Sequence, residues 1–120
     1  IYSRPMFEDF GFTKEHFNNG YSSFAVEDSI RYLKEFLLGE KIFPRFRLEN
    51  FNKKLIHIVG ILLNEEGQLS SISETIIVHV DMQTRKTVEM PKEFLTKLET
   101  IKEQHHRTGK LDFDLRLKIK

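Results

Sequence analysis

Apolar and polar positions along this chain follow two periods, and the switch between them divides it into elements. From 21 to 38 the apolar residues suit a helix: at 100° per residue, Tyr21, Ala25, Val26, Ile30, Tyr32, Leu33, Phe36 and Leu37 share with Ser29 one arc of about 180°. Arg31, Lys34 and Glu35 lie opposite. So wide an apolar face predicts a helix cradled by a curved sheet. Glu27 falls within the polar face, positioned to pair with Arg31 at i,i+4, and Asp28 sits at the edge of the apolar arc. The preceding stretch, 8–20, holds Gly11, Asn18, Asn19 and Gly20 and reads as a loop that ends in a helix cap supplied by Asn18, Asn19, Ser22 or Ser23. Gly39 supplies the stop. Residues 1–7, interrupted by Pro5, make at most an edge strand.

After Pro44 the period drops to two. Phe46 and Leu48 alternate with Arg45, Arg47 and Glu49, as in a half-buried strand. The run LIHIVGILL at 55–63 predicts a central strand buried on both faces, with Gly60 as a bend or bulge. NEEG at 64–67 is a turn that makes its flanking strands a hairpin. Residues 72–81 continue the sheet, with Ile76, Val78 and Val80 facing one way and Ile77, His79 and Asp81 the other. A turn at 82–85 leads to a short strand at 87–90. Pro91 opens a second helix, whose narrower stripe is Phe94, Leu95, Leu98 and Ile101. Leu111, Phe113, Leu115, Leu117 and Ile119 alternate with charged residues and predict a final strand. The pattern as a whole is that of one α+β domain over 1–120 with one long antiparallel sheet.

Composition narrows the function classes. At 120 residues there is material for one hydrophobic core. Nineteen basic against 18 acidic side chains leave a net charge of +1, which gives no field for nucleic acid or an anionic membrane. Without cysteine there is no disulfide framework and no thiolate chemistry. No apolar run reaches the roughly 20 residues of a membrane span, so a soluble cytoplasmic protein is expected. His57 and His79 read as satisfied residues on strands, and the adjacent His105 and His106 point about 100° apart on a helix, so no metal site is expected.

Two blocks carry a family resemblance. The first is His16-Phe17-Asn18-Asn19 running into Phe24 and Glu27-Asp28; the second is Val78-His79-Val80-Asp81 through Thr84-Arg85-Lys86 to Met90-Pro91. In this order and separation they resemble the hotdog-fold thioesterases, in the branch of 4-hydroxybenzoyl-CoA and acyl-CoA or acyl-carrier-protein thioesterases. The resemblance implies a hotdog fold: a curved antiparallel β-sheet wrapped around a long central α-helix, with a second C-terminal helix and a final strand. It also implies pairing into a homodimer or a dimer of dimers, and hydrolysis of an acyl-CoA or acyl-ACP substrate. Coenzyme A would enter as part of the substrate, with no separate cofactor.

In that reading the thioester carbonyl is polarised at the start of the central helix, and a carboxylate activates water. His16, Asn18 and Asn19 are the candidate polar groups of the site. The aspartate that many relatives carry four residues before the histidine is replaced here by Phe12, and the family's glycine by Glu15. Three carboxylates remain open as the acid: Asp9, Glu27 and Asp28. Arg85, Lys86 and Lys92 are candidates for the coenzyme A phosphates. The competing expectation is a hotdog domain that binds an acyl or aryl thioester, or serves in assembly, without hydrolysis.

Overall fold

The computed structural model describes residues 10–35, 37–107, 109, 111 and 113–119. In chain order these form α1 (Lys14–Asn18), β1 (Tyr21–Tyr32), β2 (Phe43–Phe51), β3 (Leu55–Leu63), β4 (Leu69–Asp81), β5 (Lys86–Thr87) and α2 (Lys92–His106). The strands make one antiparallel sheet in the order β1-β4-β3-β2, with β5 pairing the end of β4.

The β3–β4 hairpin forms where expected, and its turn has a local cause. Asn64 Oδ1 accepts the backbone N–H groups of Glu66 at 3.0 Å and Gln68 at 2.9 Å, while Gly67 takes the left-handed conformation at φ 77°. Gly60 is not a bulge. It lies in regular register opposite Phe46 and Ser73, and a Cβ there would stand 3.2 Å from the Phe46 ring, so its role is to let that ring lie against the strand.

Residues along β3 and β4 alternate between two faces. On one face Ile56, Ile58 and Ile77 join Leu48 of β2 against Phe94 and Leu98 of α2, with Phe10, Phe12 and Met90 completing the core. This is the helix face. Its opposite, the outer face, carries His57, Val59, Ile72, Glu74 and Ile76, all buried.

Besides the short helix α1 inside the 8–20 loop and a β5 that ends at Thr87, two longer stretches differ from the sequence expectation. The stretch read as the long central helix is strand β1 over Tyr21–Tyr32, paired with β4 from Tyr21↔Asp81 to Tyr32↔Ser71. Its composition favours this outcome, since Tyr21, Ser22, Ser23, Phe24, Val26, Ser29, Ile30 and Tyr32 are weak helix formers and mostly good strand formers. The period was masked by a β-bulge between Ala25 and Glu27, which slips the alternation by one residue and spreads apolar side chains around an apparent helical arc. Gly39 accordingly turns the chain between β1 and β2, at φ 84°, instead of ending a helix.

The other difference lies at the C-terminal end, where the described residues of 111–119 form no strand. Two of their backbone amides are satisfied another way: Arg116 and Leu117 donate to the side chain of Glu74, at 2.8 and 3.1 Å, and not to a neighbouring strand. The expected edge strand at 1–7 lies outside the described residues.

Candidate active site

The bulge in β1 decides which acidic side chain meets the helix face. Ala25 pairs with Ile77, Val26 is the extra residue, Glu27 pairs with Ile76, and Asp28 pairs with Thr75. Partners across an antiparallel pair point to the same side. Ser23, Ala25 and Asp28 therefore share the helix face with Thr75 and Ile77, and Glu27 is turned to the outer face. Had Val26 been absorbed into the ladder, the two acids would have exchanged faces.

On that face, beyond the ground covered by α2, the sheet leaves an open cleft of about 450 Å³ lined by Ser23, Ala25, Phe46, Ile58, Gly60, Ser73, Thr75 and Ile77. Its walls are apolar except for the hydroxyls of Ser23, Ser73 and Thr75. Asp28, exposed to water, accepts a hydrogen bond from Thr75 Oγ1 at 2.8 Å. That bond fixes one carboxylate oxygen against a residue that lines the cleft. Thr75 has no distinguishing mark in the sequence; only the ladder register reveals it.

The other end of the same face is closed by rings. His16, at the middle of α1, and His79, on β4, meet Nε2 to Nε2 at 2.9 Å. His79 donates its Nδ1–H to the carbonyl of Val88 at 3.1 Å, which leaves its Nε2 to accept and makes His16 the donor. Tyr21 stacks on both imidazoles with centroids 5.1 and 5.4 Å away, and Phe12 and Phe94 pack around them. Burial holds both histidines below their ordinary pKa, and for His16 the neighbouring His79 adds to the depression.

Four residues of β4 separate His79 from Thr75, about 13 Å at strand rise. That is far beyond the hydrogen-bond reach that proton transfer requires. The histidine pair and Asp28 are thus two separate features of one face. The pairing of His16 with a residue 63 positions away has no local signal in the sequence.

The remaining sequence candidates fall as follows. Asn18 is the last residue of α1, and Asn19 is its C-cap, with its N–H on Glu15 O at 3.0 Å; neither caps a following helix. Arg85 is exposed at the end of the 82–85 turn at φ 57°, Lys86 is exposed on β5, and Lys92 is exposed at the first turn of α2. Nearby, Lys53 and Lys54 line a second cleft with Thr87 and Glu89, two cations that the sequence reading did not single out. Asp9 lies outside the described residues. Because 21–32 is a strand, no helix start is available there to polarise a carbonyl. Among the described residues no cluster of His, Cys, Asp or Glu could hold a metal ion, and no helix is long and apolar enough to cross a membrane.

Comparison with known proteins places this architecture. The profile of the thioesterase-like superfamily matches residues 3–98. The chain belongs to that superfamily. Thioesterase-like relatives include the L-carnitine dehydrogenase/betainyl-CoA thioesterase of Rhizobium meliloti, 33% identical over 94 residues, covering 78% of this chain and 18% of that protein. The corresponding protein of Agrobacterium fabrum is 31% identical over 85 residues, covering 71% and 18%. The betainyl-CoA thioesterase of Pseudomonas aeruginosa is 28% identical over 88 residues, covering 72% of this chain and 55% of that one. The chain thus spans about a fifth to a half of the length of these curated relatives. Among solved structures, a Staphylococcus aureus protein in complex with CoA superposes with TM-score 0.83 at 21% identity, covering 98% of this chain and 75% of that one. The DHNA-CoA thioesterase of the same species gives TM-score 0.75 at 14% identity, covering 89% and 74%. The curved antiparallel sheet and C-terminal helix are therefore those of hotdog-fold thioesterases.

Proposed function

We propose that this protein hydrolyses acyl-CoA thioesters, with Asp28 as the base that activates water over the cleft on the helix face. Superfamily membership and relatives named as betainyl-CoA thioesterases support the reaction. The observation that carries the assignment of the base is the 2.8 Å bond from Thr75 to Asp28, which holds a solvated carboxylate beside the open cleft. The second carboxylate oxygen takes a proton from water; the hydroxide oxygen forms a bond to the thioester carbon; the tetrahedral oxyanion then collapses, breaking the carbon–sulfur bond and releasing the thiol as it regains a proton. Ser73, two residues from Thr75 on the same face of β4, is the hydroxyl donor assigned to the oxyanion. Arg85, Lys86 and Lys92, together with Lys53 and Lys54, are the cations assigned to the coenzyme A phosphates.

A homodimer fits this reading. Among the described residues the 12-residue strand β1 lies at the end of the sheet order, and its other side is the edge assigned to a second copy. The test of the activity is release of free thiol from a panel of acyl-CoA esters that includes betainyl-CoA. Turnover of at least one ester is expected; absence of turnover across the panel sinks the proposal.

A further inference from the structure

Glu74 is a carboxylate with 0% exposure that the chemistry above does not use. Its Oε2 accepts the N–H of Arg116 at 2.8 Å, and its Oε1 accepts the N–H of Leu117 at 3.1 Å and Nε2–H of His57 at 3.2 Å. Arg31 Nη2 stands 3.8 Å from Oε2. Arg31 also donates to the carbonyl of Asp114 at 2.7 Å, and its guanidinium lies 5.7 Å over the Phe113 ring. An isolated buried carboxylate costs several kcal/mol, so three hydrogen-bond donors and a guanidinium converging on one group mark an arrangement in which removing any partner is costly. The consequence is mechanical: residues 113–119 lie on the outer face of the sheet without joining its ladder, held through their backbone by two side chains.

Those two side chains come from the strands that carry the Asp28–Thr75 pair. Arg31 follows Asp28 by three residues on β1, and Glu74 precedes Thr75 on β4, with Ser29 opposite Glu74 in the ladder. Among the described residues β1 pairs with β4, and the bulge interrupts that pairing next to Asp28. An interrupted ladder is a point where a sheet opens locally, so a contact that spans both strands beside it has most to hold.

We propose that residues 113–119 are a strap, latched by Glu74 and Arg31, that holds β1 against β4 from the outer face and thereby fixes Asp28 over the cleft on the other. Glu74 and Arg31 are positioning residues. The effect on hydrolysis rests on the assignment of Asp28; the effect on β1 does not.

Amide hydrogen exchange on the full chain tests the strap, using Glu74→Gln, which keeps the shape and one acceptor oxygen but loses the charge, and Phe113→Ala, which leaves the buried cluster intact. In both, the amides of Arg116 and Leu117 and those of Ser29 to Arg31 are expected to exchange at least about tenfold faster, with β3 protection unchanged. A general loss of stability, as in Leu98→Ala, raises exchange in β3 as well. Wild-type exchange at Arg116 and Leu117, or a loosened strap with β1 still protected, overturns the proposal. In thiol-release assays kcat is expected to fall several-fold with KM nearly constant; equal kcat in all variants overturns the positioning role. If the wild-type protein hydrolyses no ester, the assignment of Asp28 fails, and the exchange result still decides the strap.

Discussion

The two ends of the helix face are built from similar strands and do opposite things with their polar groups. At the closed end, His16 and His79 spend their hydrogen bonds on each other and on the Val88 carbonyl, under a lid of Phe12, Tyr21 and Phe94. At the open end, Asp28 spends one bond on Thr75 and stands in water beside an apolar cleft. A titratable group packed among rings is a device for stability, because its bonds are already made in the resting protein. One held by a single bond and exposed to water keeps an oxygen free for another partner. The sequence set His16 beside the acids as candidates for one site; the structure places His16 and Asp28 at different ends of the face.

The largest effect that sharpens the contrast is expected from Asp28→Asn. Loss of the base should lower kcat by about 10² to 10⁴-fold while leaving the urea midpoint nearly unchanged, since the side chain is exposed. A variant that keeps full activity would remove the open end from the chemistry. Phe94→Ala acts on the closed end, deleting a ring that is 7% exposed and touches both histidines, and is expected to cost about 3–5 kcal/mol of stability by urea denaturation. If it lowers activity without lowering stability, the closed end is catalytic after all.

The smallest effect is that of pH. His16, His79 and His105 all have depressed pKa values in the folded protein, first through burial. The unfolded chain therefore takes up protons first as pH falls. Their contribution to stability is complete above the ordinary histidine value of about 6.5 and declines below it. The urea midpoint should be flat from pH 8 to 7 and lower at pH 5.5. A midpoint that rises on acidification would contradict the neutral, paired geometry of the two imidazoles.

Much of this architecture is legible in the chain itself. From Phe46 to Leu98 the periods, the Asn64 turn and Pro91 agree with one another, and β2, β3, β4 and α2 form where they indicate. β1 is not legible, because a bulge is a property of the ladder: nothing in Ala25-Val26-Glu27 announces that Val26 will be left out of the pairing. For the same reason the sequence alone does not say which of Glu27 and Asp28 shares the face of α2. The alternation at 111–119 is real but ambiguous, since a segment can present apolar side chains to a sheet without pairing with it. In the structure the Glu74 carboxylate takes the two amides that a neighbouring strand would otherwise have bonded.

The bulge at Val26 has a consequence for how such sites diverge. A ladder that absorbed its extra residue a few positions later would bring Glu27 opposite Thr75 in place of Asp28, with no change of amino acid at either position. The acid presented to the cleft is thus set by pairing as much as by composition. Two descendants of one ancestor can differ in the acid that faces the cleft while remaining identical, letter for letter, along this strand.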